Sequence, residues 1–164
     1  LLVEIQSLVT TSYFGIPRRV SNGIDFNRLL MIIAVLTRRA GLKLGNQDIL
    51  INVAGGLKID EPAADLSTAL SIASSFFDTG IKKGLVAAGE IGLSGELRSI
   101  SRIDQRISEA ARLGFRYFLL PRSSARNLTP VSGIEIVPVS TLKEAISKGL
   151  EGKIRLEKNP EAAI

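Results

Sequence analysis

Apolar residues recur with a period near two in the short runs of this chain and near 3.6 in the longer ones, and the two periods alternate along its length. Residues 1–10 set Val3, Ile5 and Leu8 against Glu4, Gln6 and Ser7, imperfectly, which predicts a strand with one polar face. Residues 11–22, with Gly15, Pro17, Arg18 and Arg19, read as a turn-rich connection. Asp25 is placed as an N-cap, and Leu29, Leu30, Ile32, Ile33, Leu36 and Ala40 follow at helical spacing until Gly41 stops the helix. Residues 48–55 form a second apolar strand, and a helix opening at Pro62 carries Leu66, Ala69, Leu70, Ala73 and Phe76 or Phe77 inward to an end near Gly80. Residues 85–91 are a short strand that runs into a hairpin turning at Ser94-Gly95. A third helix over 101–113 points Ile103, Ile107, Ala110 and Ala111 inward, with Gly114 closing it. A strand at 116–121, a helical turn at 123–127, a strand at 134–138 and a helix at 141–148 complete the pattern. Interleaved strands and helices predict an α/β or α+β fold with a mixed sheet, as one domain over 1–150. Residues 151–164 are expected to be a polar, frayed tail.

Composition narrows the chemistry. At 164 residues, 45% hydrophobic and 23% charged, the chain has the balance of a globular domain with a sizeable core. It has neither cysteine nor histidine, which removes disulfides, thiolate nucleophiles, the usual zinc sites and any histidine base. The net charge of +5 makes a polyanionic partner plausible without requiring one. No apolar run approaches the ~20 residues needed to span a bilayer, so no membrane partner and a cytoplasmic location are expected. The first residues, Leu1-Leu2-Val3-Glu4-Ile5, have no basic leader and no initiating methionine. A fragment starting directly in a strand, its upstream domains removed, is the expectation.

Between the second strand and the second helix lies Gly55-Gly56-Leu57-Lys58-Ile59-Asp60-Glu61-Pro62-Ala63-Ala64-Asp65. A loop feeding a helix N-terminus offers free N–H groups and the positive dipole end, a favoured place for a site. Yet the side chains just inside the helix are the methyl groups of Ala63 and Ala64. No phosphate-cradling G-x-x-x-x-G-K-[ST] or G-x-G-x-x-G is present, and Gly55-Gly56 suits a turn at positive φ. The carboxylates Asp60, Glu61 and Asp65, and Glu90 and Glu96 about the hairpin, are accounted for by capping and solvated faces. No metal site is expected, since carboxylates with regular ligand spacing are missing.

The remaining chemistry, a serine nucleophile at a helix N-terminus with a lysine base, leads to a resemblance. Asp60-Glu61-Pro62-Ala63-Ala64, then Ala88-Gly89-Glu90-Ile91-Gly92-Leu93-Ser94-Gly95-Glu96-Leu97, then Ile100-Ser101-Arg102-Ile103-Asp104-Gln105-Arg106, in that order, resemble the proteolytic domain of the Lon family. There the helix opens with aspartate, glycine, proline and the nucleophilic serine, a threonine-glycine-glutamate hairpin follows, and a later helix carries the catalytic lysine. Asp60 falls on the family's aspartate, Ala63 on the nucleophile, Ala88 on the hairpin threonine and Arg106 on the lysine. Alanine has no attacking oxygen and arginine cannot serve as a base, so the resemblance implies a Lon-protease-like fold (ribosomal protein S5 domain 2-like) without the catalytic dyad.

Val3-Glu4-Ile5-Gln6-Ser7-Leu8-Val9, Pro17-Arg18-Arg19, Gly23, Asn27-Arg28-Leu29, Ala34-Val35-Leu36 with Arg38, the hairpin 89–98 and Arg106-Ile107-Ser108-Glu109-Ala110-Ala111 resemble, further, the C-terminal domain of the bacterial RadA (Sms) family of DNA repair proteins. That resemblance covers nearly all of 1–149. It implies an upstream zinc-binding segment and an ATPase core that uses ATP and Mg, branch migration of recombination intermediates, and a homo-oligomeric ring, a hexamer. Its partners would be single-stranded or branched DNA, with a recombinase as a further partner.

In that setting the DNA-binding candidates are Arg18, Arg19, Arg38, Arg39, Lys43, Lys82, Lys83, Arg98, Arg102 and Arg106, the last two four apart and hence on one helix face. Each doublet is equally a solvated face or a helix cap, as Arg38 and Arg39 in a last turn illustrate. The few aromatics, Tyr13, Phe14, Tyr117 and Phe118, make backbone-directed contact the expectation. Two alternatives stay open: a serine peptidase built on Ser67, Ser94 or Ser101 with Lys58, and a Lon-like domain joined to a different AAA-type motor.

Overall fold

The computed structural model describes residues 1–154 and 156. Alternating burial along residues 5–11 and 19–22 and near-continuous burial along 47–53 build the first sheet, order β1-β3-β2: β1 (Ile5–Thr11) antiparallel and β2 (Arg19–Asn22) parallel to β3 (Gln47–Val53). The second sheet, order β4-β7-β8, is parallel throughout, from β4 (Leu85–Ala87), β7 (Tyr117–Pro121) and β8 (Glu135–Val139), and β5 (Glu90–Ile91) and β6 (Leu97–Arg98) form the hairpin. The central strands of both sheets are the buried, Ile/Leu-rich ones, which is the pattern that coverage on both faces demands.

Four α-helices complete the mixed α/β architecture. In α1 (Phe26–Ala40) the Asp25 carboxylate accepts from Arg28 N, and Gly41, at φ 77°, ends the helix by donating to Leu36 O. Its buried stripe is Leu29, Ile32, Ile33, Val35, Leu36 and Ala40; Leu30, expected inward, is 40% exposed. In α2 (Asp65–Phe77) Thr68 and Ile72 are buried along with the predicted face, because sheet one, α1 and α4 all pack against it. It ends at Phe77 with Asp78 in the left-handed region, three residues before Gly80, near which the end was expected. α3 (Ile103–Arg112) and α4 (Leu142–Gly149, capped by the Thr141 hydroxyl) close the set.

The larger apolar cluster joins α1, α2 and α4 to the strands; a smaller one gathers Ala63, Ala88, Ile107, Ala110, Phe118 and Leu120. Among the described residues no helix is long and apolar enough to cross a membrane.

Two expectations need correction. Residues 11–22 are not all connection, because Arg19–Asn22 pairs in parallel with β3, a register that a four-residue polar strand does not announce. Residues 85–91 are two strands, since the chain turns at Ala88-Gly89 to bond the start of α2. Of residues 151–164, Ile154 and Leu156 pack against the larger cluster and Glu151 N donates to Gly80 O; the expected fraying falls on residues outside those described.

Candidate functional site

The mouth of α2 is assembled by backbone bonds from distant segments. After β3 a 3-10 turn (Ala54–Gly56) with Gly55 at φ 78° redirects the chain, and Ile59 N donates to Gly23 O at 2.8 Å. Gly23 is required there: at φ +100° a Cβ would lie 2.5 Å from Leu57 O. Pro62 then opens a 3-10 turn (Pro62–Ala64) that runs into α2. From the other side Gly89 N donates to Ala63 O at 2.9 Å, Leu66 N to Gly89 O at 3.1 Å and Ala88 N to Leu119 O at 3.1 Å. These bonds set Ala88 beside Ala63, both buried.

Arg106, in the first turns of α3, completes the group. Its Nε donates to Ser101 O at 2.8 Å and a terminal nitrogen pairs with Glu61 Oε1. A cavity of about 480 Å³ carries Ala63, Ala88 and Arg106 in one wall system with Arg102, Gln105 and Phe118. Burial lowers the Arg106 pKa, yet a guanidinium remains a cation at any physiological pH. Within this group the cavity offers methyl groups, a fixed cation and a carboxylate already paired to it. Asp60, by contrast, is exposed and lines a smaller neighbouring cavity of about 220 Å³ with Arg28 and Asp65.

The carboxylates behave differently from the capping expected of them. Glu61 makes no capping bond and goes to Arg106. Asp65, 3% exposed, accepts a paired donation from Arg28 (Nε to Oδ1 at 2.7 Å, and Nη2 to Oδ2) and also accepts from Ile91 N at 3.0 Å. The hydrogen bond to Asp65 raises the Arg28 pKa against the opposing effect of burial. Sequence reasoning missed this pair, since the partners lie 37 positions apart and Asp65 alone looks like an ordinary first-turn acid. In the hairpin the Glu96 carboxylate folds over Gly92, where a Cβ would fall 1.5 Å from its Oε1.

The candidate cations separate into several places. Arg18 is exposed and 3.6 Å from Asp48, whose carboxylate is held below its ordinary pKa chiefly by accepting Arg18 N–H at 2.7 Å. Arg19 is spent on the fold: its guanidinium donates to Leu44 O at 3.0 Å and to Gln47 O, and burial lowers its pKa. Lys43 lies on the same 41–46 connection, which leaves the last turn of α1 where Arg38 and Arg39 sit, and Arg39 Nε donates to Leu93 O at 3.3 Å. Lys82 stacks 3.9 Å above the Tyr117 ring, Lys83 is exposed beside it, and Arg98 is exposed on β6. Arg102 and Arg106 do line one cavity, but Arg102 precedes α3 in a left-handed conformation, φ 56°, rather than lying on the helix.

Of the serines proposed as nucleophiles, Ser67 and Ser101 line the 480 Å³ cavity, and Lys58 is not among its lining residues. Ser67 Oγ donates to Ala87 O at 2.6 Å, Ser94 is exposed in the hairpin turn, and Ser101 is exposed. Lys58 is exposed in the loop leading to Pro62.

Comparison with known proteins gives a consistent set of likenesses. A family model described as "Subunit ChlI of Mg-chelatase" matches residues 22–124. The proteins named DNA repair protein RadA from Bacillus subtilis, Halalkalibacterium halodurans and Streptococcus pneumoniae are 48%, 49% and 46% identical over 152, 146 and 148 residues. Those alignments cover 93%, 89% and 90% of this chain but 33%, 32% and 35% of the respective relatives. The chain thus spans about a third of the length of the curated relatives it matches.

Proposed function

The chain belongs to the family described as subunit ChlI of Mg-chelatase and is a RadA-related domain, and on that footing we propose that it is a Lon-like scaffold, without peptidase activity, of a RadA-type DNA repair ATPase. In this reading it assembles as a ring, a hexamer, and lays cationic patches along the phosphate backbone of single-stranded or branched DNA during branch migration. The observation that carries it is the meeting of Ala63, Ala88 and Arg106 around one cavity. Three positions far apart in sequence, matched to a peptidase's working groups by resemblance alone, come to one place holding side chains that cannot do that work. Losing nucleophile and base together leaves no covalent route, while the architecture persists as a frame for contacts.

ATP, Mg and Zn belong elsewhere in such a protein. Gly55 and Gly56 are exposed turn residues without the lysine-hydroxyl pair a phosphate loop needs, and the chain has no cysteine or histidine to hold zinc. A recombinase partner and a cytoplasmic setting fit the same reading.

The test is binding of the purified chain to single-stranded and forked DNA across a salt series. Sequence-independent binding that weakens steeply with salt is expected, stronger in an assembled ring than in one subunit. Arg18→Glu, Arg38→Glu and Arg39→Glu combined should weaken it; unchanged affinity with intact folding would remove those patches from the account. Labelling by a serine-reactive phosphonate, or turnover of an unfolded peptide, would restore the peptidase alternative.

A further inference from the structure

We propose that the loop between β1 and β2 is a base-stacking platform for single-stranded nucleic acid, with Tyr13 and Phe14 as its rings. The inference rests on the DNA-contacting reading above and adds to it the part of the ligand that this end of the molecule would hold.

Packing accounts for neither ring. Tyr13 and Phe14 are 81% and 93% exposed, and Ile16 beside them is 89% exposed. Single exposed apolar residues need no explanation, but three of the largest within four positions make a surface feature that does. The loop is tied at both feet: Ser12 N donates to Asn46 O at 2.9 Å, and Arg18 N to Asp48 Oδ1 at 2.7 Å. Between them Gly15 turns the chain at φ +75°. The rings are therefore carried on a short connection clamped to β3 and its preceding loop, which limits what ordering them would cost.

The foot of the loop carries an exposed cation. The Arg18 side chain is 76% exposed, and its neighbouring carboxylate, Asp48, is itself buried. Arg19, bonded to Leu44 O and Gln47 O, holds the connection before β3 against the foot of the loop. Exposed rings four and five positions from an exposed arginine at the foot of the same loop supply the two parts that sequence-tolerant single-strand binding combines: stacking on base faces and attraction to phosphate. An apolar tip for docking a protein would not need the cationic foot, and a track for duplex backbone would not need the rings.

The experiment compares binding of a labelled oligothymidylate and of a duplex of equal length, each over a salt series. Tyr13→Ala with Phe14→Ala should weaken single-strand binding by about 10-fold or more. Duplex affinity and the slope of log affinity against log salt should stay as they were, because phosphate contacts set that slope. Tyr13→Phe with Phe14→Tyr keeps both rings and should keep the affinity, while Arg18→Glu should weaken both ligands. Unchanged single-strand affinity in the double alanine variant, or an equal loss on both ligands, overturns the platform. A change of sedimentation in that variant without a change of affinity also overturns it, in favour of a protein-docking tip. If the unaltered chain binds neither DNA, the DNA-contacting reading itself has failed, a result distinct from failure of the platform alone.

Discussion

Two polar arrangements flank the same helix mouth, and they are built on opposite terms. On one side Asp65 is buried with its oxygens taken by Arg28 and Ile91 N, joining α1, α2 and the hairpin. On the other, Arg106 and Glu61 pair at the edge of an open cavity, with side-chain exposures of 24% and 51%. The first is closed and spent on the fold. The second is half-exposed and borders a cavity of about 480 Å³. Burial sets the stakes: a desolvated charge must be fully partnered, whereas a half-wet pair contributes little either way.

That contrast can be broken most directly at Asp65. Asp65→Ala strands a partly buried guanidinium and an amide, and should cost about 3–5 kcal/mol in urea unfolding. A loss under about 1 kcal/mol would mean that Arg28 simply turns to water and the two sides are alike.

Gly92 tests the hairpin that supports the closed side. Gly92→Ala drives a methyl into the Glu96 carboxylate and should destabilise by about 1–3 kcal/mol. Adding Glu96→Ala should recover part of that, because Glu96 Oε1 is buried without a hydrogen-bond partner among the described residues. A pair of variants that merely add would place the clash elsewhere.

On the open side Glu61→Ala should shift stability by no more than about 1 kcal/mol, as expected for an exposed pair. A larger loss would make Arg106–Glu61 a structural clamp comparable to Arg28–Asp65.

The smallest effect is acid sensitivity. Asp48 is held below its ordinary pKa by Arg18 N–H, Glu109 by Arg112 and Glu144 by Ser140 N–H. A depressed folded-state pKa confers stability that is present above the unfolded value and lost as pH falls through the folded one. Thermal midpoints should therefore drop below about pH 4, and Asp48→Asn should flatten part of that drop. An unchanged profile in that variant would show that Asp48 contributes nothing to it.

Much of the fold could be read from the chain. The Asp25 cap, the Gly41 stop, the Pro62 helix start, the Ser94-Gly95 turn and the Thr141 helix start are local signals, settled by a few neighbouring residues, and each appears where expected. Arg19–Asn22 was missed because its identity as a strand comes from pairing with β3, not from its own four residues. Among the cations, sequence could not separate Arg18, whose head faces water, from Arg19, whose head is consumed by two carbonyls one loop away.

The sequence by itself determined which side chains exist and which local turns and caps they favour: Ala63 and Ala88 carry methyl groups and Arg106 a permanent cation in any conformation. Only the tertiary structure decided that those three share a cavity, that Asp65 belongs to Arg28, and that Tyr13 and Phe14 stand in water. Local propensity acts over a few residues, but distance, burial and partner choice are set by the packing of segments that the chain order keeps apart.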